Sequence, residues 1–245
     1  MTIENDTLKQ VLLDTSPSEQ YQGKESELAN LLTEIEAMKG AEQNILYHRE
    51  DVYQHTMMCM DHAALVKDMA ADPLAFMLGT MLHDIGKPAT AQKRKKRWNG
   101  QEFMVTQNIR HPIVGVPIAE NVCRRIGASK ELTDYIKGFV RFHDIVYESS
   151  RPREYLSDKK ACRIIENAYN EGGHLPDYVL FSFEADQKGM IPGPKAIENS
   201  VERFWDVLDK AAIPVSVKRE CSRVRALNQG GRRLMESVQM YGIAV

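Results

Sequence analysis

Met81-Leu82-His83-Asp84-Ile85-Gly86-Lys87-Pro88 is the stretch on which the reading of this chain turns. The apolar run Leu74-Ala75-Phe76-Met77-Leu78 leads into it, and Gly86 and Pro88 stop the helix that the run predicts. Burying a histidine and an aspartate without partners costs on the order of several kcal/mol, and a metal ion is the natural group to offset that cost. Neighbouring residues on a helix point roughly 100° apart, so both side chains serve one site only where the helix ends and the backbone bends. A lone His-Asp pair is weak evidence. Further histidines and acids along the chain give this one its weight.

Working outward, Asp72-Pro73 is an N-cap followed by proline at the first helical position, a clean start for the helix that delivers His83 and Asp84. Upstream, Asp51 caps a helix expected to run through Met57-Met58-Cys59-Met60, a core-packing cluster, to about Ala70. It carries His55 in its first turns; His62, two turns on, reads as an ordinary core or surface histidine. Downstream, Thr90 to Arg97, the Asn99-Gly100 turn and Gln101 to Thr106 read as a β-hairpin. Lys93-Arg94-Lys95-Lys96-Arg97 beside Trp98 makes it strongly basic, which suits a solvated hairpin or a clamp for phosphates or RNA. Arg110-His111-Pro112 opens a helix ending at Gly127, and Ser129 caps another that closes on Phe142-His143-Asp144. Ser157 caps a helix to Asn170. After the turn Gly172-Gly173-His174-Leu175-Pro176, an apolar helix from Asp177 ends in acids at Asp186, a buried carboxylate with no local basic partner.

The ends say less. Residues up to about 23 read as a loosely held arm, and Leu28, Leu31, Leu32, Ile35 and Met38 mark an amphipathic helix over Ser26 to Met38. Pro194 to Val245 reads as two or three helices split near Pro214 and Gly230-Gly231, made basic by Arg219, Arg223, Arg225, Arg232 and Arg233. The expected division is therefore an arm and amphipathic helix over 1–43, a metal-binding core over 44–190 and a helical extension over 191–245.

Composition narrows the class. At 245 residues, 43% apolar and 27% charged, the chain is an ordinary globular protein able to bury a large core. No run approaches the roughly 18 apolar residues of a membrane span, and the polar start is neither a signal nor a transit peptide. Cys59, Cys123, Cys162 and Cys221 form no Cys-x-x-Cys pair, so a zinc ribbon or disulfide framework is not expected and a cytoplasmic setting is. The net charge of -2 gives no global signal for nucleic acid, yet eight Lys/Arg stand against two acids between Lys93 and Arg125.

Collected together, the buried-looking polar groups are His55, His83, Asp84, His111, His143 and Asp186. Imidazole and carboxylate suit divalent Mn, Fe, Co, Ni or Zn, with Mg a further candidate, and no cysteine is expected to compete. Four such groups complete one ion's shell; six suffice for two ions bridged by a carboxylate.

On these residues the sequence resembles the HD phosphohydrolase superfamily, whose signature is His…His-Asp…Asp, and within it the HD domain carried by bacterial tRNA nucleotidyltransferases. Tyr47-His48-Arg49-x-Asp51-Val52-Tyr53-x-His55-Thr56 matches the opening motif and Leu82-His83-Asp84-Ile85-Gly86-Lys87-Pro88-Ala89-Thr90 the central one. Arg110-His111 stands where that family has Gly-His. Phe139-Val140-Arg141-x-His143 matches the next motif, and Phe183-Glu184-Ala185-Asp186 through Gly189 the last. Nothing upstream resembles a nucleotidyltransferase head, so a stand-alone HD domain is expected. The resemblance implies an all-α HD bundle with a small β-hairpin insertion, holding one or two divalent ions. It also implies a phosphohydrolase, a phosphomonoesterase or phosphodiesterase working through a metal-activated water. The substrate would be a phosphorylated nucleotide or an RNA end, with RNA contact through Lys93, Arg94, Lys95, Lys96 and Arg97. In that chemistry Asp84 is a ligand, Lys87 stabilises developing charge, and His48, Arg110 and Arg141 orient phosphate. Two other classes stay open: a diiron oxygenase with much the same ligands, and a non-catalytic nucleotide- or RNA-binding regulatory domain.

Overall fold

The computed structural model describes residues 1–191 and 201–227. In chain order the helices are α1 (Asp6–Leu13), α2 (Pro17–Leu28), α3 (Thr33–Glu36), α4 (Val52–Ala64), α5 (Pro73–Leu82) and α6 (Lys87–Thr90). The antiparallel pair β1 (Ala91–Trp98) and β2 (Gln101–Asn108) follows. Then come α7 (His111–Arg125), α8 (Lys130–Phe142), α9 (Ile145–Ser149), α10 (Asp158–Asn167), α11 (Leu175–Phe181) and α12 (Val201–Lys210). Among the described residues the hairpin is the only β-sheet, so the protein is all-α with one small hairpin.

Helix α5 is the spine. Asp72 caps it by accepting from the Ala75 amide, Pro73 occupies its first turn, and every residue from Leu74 to Leu82 is buried. Its large apolar side chains contribute about 2 kcal/mol each by leaving water. Helix α8 packs beside it at Gly79, where a Cβ would stand 2.6 Å from the Phe139 ring. Helix α4 begins with a full capping box, Asp51 and Gln54 each bonding the other's backbone amide. The hairpin register pairs Trp98 with Gln101. Asn99 (φ 49°) and Gly100 (φ 78°) supply the left-handed turn that the Asn-Gly dipeptide predicts.

One close approach fixes the centre. A Cβ on Gly86 would lie 2.2 Å from the His111 carbonyl oxygen and 2.7 Å from the Gly115 amide nitrogen. The bend after the His-Asp pair thus rests directly on the backbone at the start of α7. Across the core, α11 runs into a π-helical turn over Ser182–Asp186, all five residues of which are buried. Such turns widen a helix by one residue and often mark functional sites.

Several expectations need correcting. Residues before 23 are not a loose arm: Asn5 caps α1, and α1 and α2 bury Leu8, Val11, Leu12 and Tyr21. The Glu4 amide donates to the Ile126 carbonyl and the Ser129 amide to the Thr2 carbonyl, which ties the amino terminus to the α7–α8 turn. The helix read over Ser26 to Met38 breaks after Leu28. Arg125 from the last turn of α7 donates to the freed Leu31 carbonyl and pairs with Glu34, so a helix partner is not needed there. Leu28, Leu32, Ile35 and Met38 stay buried across the break. Helix α4 stops at Ala64 rather than near Ala70, because the chain must turn through a 3-10 segment (Lys67–Met69) to reach the Asp72 cap. In the carboxy-terminal part, Pro214 does separate α12 from a helix over 215–227. Arg219, Arg223 and Arg225 are exposed there, and Arg225 lies over the Trp205 ring. Gly230, Gly231, Arg232 and Arg233 lie outside the described residues.

Candidate metal centre

Four histidines arrive from four places: His55 on α4, His83 just past α5, His111 at the first turn of α7 and His143 just past α8. In three of them Nδ1 donates to the carbonyl three residues earlier: Thr80 for His83 (2.7 Å), Asn108 for His111 (2.9 Å) and Val140 for His143 (2.9 Å). Thr80 and Val140 lie in last helical turns, where carbonyls lack helical partners. His55 Nδ1 donates to the Gly189 carbonyl at 3.0 Å. A carbonyl only accepts, so each Nδ1 carries a proton and each Nε2 is the ring atom turned toward the centre. Ligating histidines are held in this way.

The four Nε2 atoms surround Asp84, whose side chain is 1% exposed. Its Oδ1 faces His111 Nε2 at 3.2 Å and His143 Nε2 at 3.6 Å. Its Oδ2 faces His83 Nε2 at 3.0 Å and His55 Nε2 at 3.7 Å. Asp186 Oδ1 closes on His55 Nε2 at 3.0 Å. Thus His55, His83, Asp84, His111, His143 and Asp186 converge in one centre with Asp84 between two halves. His111 Nε2 and His143 Nε2 stand 3.1 Å apart. Asp84 Oδ1 and His83 Nε2 are buried without a hydrogen-bonding partner, and Asp84 Oδ2 has the Lys87 ammonium against it. Buried imidazole nitrogens and carboxylate oxygens crowded this closely fit divalent cations, so the donor set suits the implied metal.

The electrostatics agree. Burial alone would raise the Asp84 carboxyl, but His83 and Lys87 beside it hold it well below the usual carboxylate range. For Asp186, burial is likewise outweighed by the His55 contact, bringing it to about 2. Burial lowers His83, keeping it neutral. Burial would also lower His143, yet Asp144 and Asp84 push it up to about 9. Lys87 resists its burial because Asp84 lies 2.5 Å away, and its ammonium donates to Gln43 Oε1 at 2.6 Å.

The remaining sequence-derived residues are placed less centrally. His48 sits edge-on to His55 with ring centroids 5.1 Å apart, and its Nδ1 lies 2.6 Å from Glu50 Oε1. Arg110 is exposed and takes a left-handed backbone (φ 66°) immediately before His111, an uncommon conformation for a non-glycine residue. Arg141 is half-buried with its guanidinium over the Phe142 ring. His62 is half-buried and outside the cluster.

Four groups were missed. Cys59 Sγ stands 3.5 Å from His55 Nε2, which corrects the expectation that no cysteine enters the site. Its i+4 spacing from His55 is the signal that could have found it. Asp144 reaches His111 Nε2 at 3.5 Å, and a second His-Asp pair was there to be read. Glu50, its side chain fully buried, approaches His55 Nδ1 at 3.6 Å. Tyr147 presents a buried hydroxyl without a hydrogen-bonding partner. Burial, then Asp186 and Asp144 nearby, raise it well above an ordinary phenol. Neither Glu50 nor Tyr147 has a sequence signal beyond proximity to a ligand.

This arrangement of helix-end histidines around one bridging aspartate defines an HD domain. The family model described as "HD domain" matches residues 52–172, and the chain carries that domain. Over 188 residues it is 27% identical to the Multifunctional CCA protein of Cupriavidus pinatubonensis and 30% identical to that of Cupriavidus metallidurans. Each match covers 76% of this chain and 41% of the relative. It is also 26% identical over 196 residues to the Bifunctional uridylyltransferase/uridylyl-removing enzyme of Mycobacterium tuberculosis, covering 80% of this chain and 20% of that protein. The chain therefore spans at most about half the length of these curated relatives. Among the described residues no helix is long and apolar enough to cross a membrane.

Proposed function

We propose that this protein is a metal-dependent phosphohydrolase that cleaves a phosphomonoester or phosphodiester of a nucleotide or an RNA end. The observation that carries the reading is Asp84: one buried carboxylate, each oxygen turned to a different pair of imidazoles, with the Lys87 ammonium against it. When bound, a divalent metal supplies positive charge for a phosphoryl oxygen and makes a coordinated water acidic. His55, His83, Asp84 and Asp186 would hold one ion and Asp84, His111 and His143 a second.

The chain's own groups do the rest. Lys87 stays charged in a buried setting and stabilises negative charge growing on phosphorus oxygens. Burial keeps His48 neutral, so it can donate to or accept from substrate beside His55. Arg110 and Arg141, next to ligand-bearing positions, orient phosphate. The basic hairpin leaves the centre at Lys87 and returns at Asn108, whose side chain donates to the Lys87 carbonyl at 2.9 Å. Lys93, Arg94, Lys95, Lys96 and Arg97 follow on one strand beyond the short helix that begins at Lys87, a run of positive charge that supports the reading of a polyanionic RNA end as substrate. The metal-binding core over 44–190, with the flanking segments packed on it, belongs to the same proposal.

The test is metal content of protein purified without chelator, with parallel assays of p-nitrophenyl phosphate, its bis ester and 2',3'-cyclic AMP under added Mn, Ni or Co. We expect metal-dependent turnover that Asp84→Ala abolishes. Replacing Lys93, Lys95 and Arg97 by glutamine should weaken binding of a short RNA and flatten its salt dependence, leaving p-nitrophenyl phosphate turnover intact. Two tightly held irons with no ester turnover would refute hydrolysis and favour the oxygenase.

A further inference from the structure

The two halves of the centre differ. His111 and His143 face Asp144, whose side chain is 30% exposed, so that half opens toward solvent. The other half is closed: His55, His83, Asp186 and Cys59 are all buried, and their candidate ligand atoms lie within 4.8 Å of one another. Cys59 follows His55 by four residues on α4, so both side chains project from one face of the helix. Its sulfur lies 3.5 Å from His55 Nε2, the ring atom turned into the centre and toward Asp186 Oδ1. A tetrahedral ion bonded to sulfur at about 2.3 Å and to nitrogen at about 2.0–2.1 Å would set those two atoms roughly 3.6 Å apart. His83 Nε2 and Asp84 Oδ2 meet at this half at 3.0 Å, both buried, and the His83 nitrogen lacks a hydrogen-bonding partner. Gly189 is cut to fit the sulfur: a Cβ there would stand 2.6 Å from Cys59 Sγ, and the Gly189 carbonyl is the group that orients His55.

We propose that Cys59 is a thiolate ligand of the closed half, beside His55, His83 and Asp186, making that half a thiophilic site suited to zinc or cobalt. The open half, built only of nitrogen and oxygen, would take the harder, exchangeable ion. This rests on the reading of the cluster as a metal centre. As the sulfur–metal bond forms, the thiol proton passes to solvent.

The experiment is a cobalt(II) titration of the chelator-treated protein followed by absorption spectroscopy and by bound-metal analysis. The proposal expects a sulfur-to-cobalt charge-transfer band in the near ultraviolet that saturates with the first equivalent. In Cys59→Ser the band should be absent and the first equivalent bound at least tenfold more weakly. Circular dichroism of the variant establishes that it is folded; if it is not, the wild-type spectrum still decides. Bound cobalt without the charge-transfer band overturns the cysteine assignment and leaves the metal centre standing. Failure of the wild-type protein to bind cobalt, zinc or manganese at all overturns the metal centre and the assignment with it.

Discussion

Gly86→Ala should disable the centre without touching a side chain in it. The added methyl would meet the His111 carbonyl at 2.2 Å and the Gly115 amide at 2.7 Å, and both obstacles are backbone. A flexible side chain could rotate away; a helix start cannot. To restore ordinary contact the His111 carbonyl must retreat by about 1 Å. Overpacking costs about 1–3 kcal/mol, and a clash with backbone on two sides belongs at the upper end. For a chain of this size each kcal/mol lowers the melting temperature by about 2–4 °C, so a drop of roughly 6–12 °C is expected. Metal ligation tolerates only about 0.2 Å in bond length, so moving His111 relative to Asp84 should weaken metal binding at least tenfold. Gly79→Ala is the control, since its methyl meets the Phe139 ring at 2.6 Å, inside the core. It should lower stability while largely preserving metal affinity. Thermal melts and metal-bound fractions measured on both variants separate the effects. A Gly86→Ala protein with wild-type melting temperature and metal affinity would refute the claim that this contact sets the geometry.

Other outcomes follow from the same structure. Tyr147→Phe removes a buried, unpartnered hydroxyl, so the metal-free protein should melt at the same or a slightly higher temperature; a marked drop would mean that the hydroxyl has a structural partner. Gly23→Ala, exposed in the interior of α2 with nothing within 4 Å of its new methyl, should gain about 0.5–1 kcal/mol in denaturant titrations. The pH dependence of stability should reverse with metal. His143 is raised to about 9 in the fold, so its contribution is complete below about 6.5 and is lost as pH climbs through 9. Chelated protein should therefore weaken from pH 6.5 to 9, whereas metal-saturated protein should strengthen as its ligands deprotonate more easily. Parallel slopes in the two melting series would contradict the assignment of His143 as a ligand. At the acid end, Asp186 is depressed to about 2, so its contribution, present above about pH 4, should fade as pH falls toward 2.

Much of this was legible because helix ends announce themselves. Asp51, Asp72-Pro73 and Ser129 cap the helices they were read to cap, and the Asn-Gly turn fixed the hairpin. The convergence of His83 and His143 could be inferred because each ends an apolar helix, and an apolar helix points its end into the core. The amino-terminal helices were not legible: α1 spans eight residues and buries only three, too short a stretch to show a period. The π turn that carries Asp186 inward also has no periodic signature. Cys59 hid in a methionine-rich run that looks like packing alone. Its role depends on Gly189, far off in sequence, which no local pattern reveals.

The hairpin enters and leaves the fold at nearly the same point. Ala91 pairs with Asn108, and the Asn108 side chain clasps the Lys87 carbonyl. An insertion with its two ends fastened together transmits little to what lies beneath it. Strand length, turn and charge can therefore drift while the distance between Asp84 and His111 stays fixed. The centre and the hairpin are separately editable parts, so the hairpin can be rebuilt at small cost to the centre.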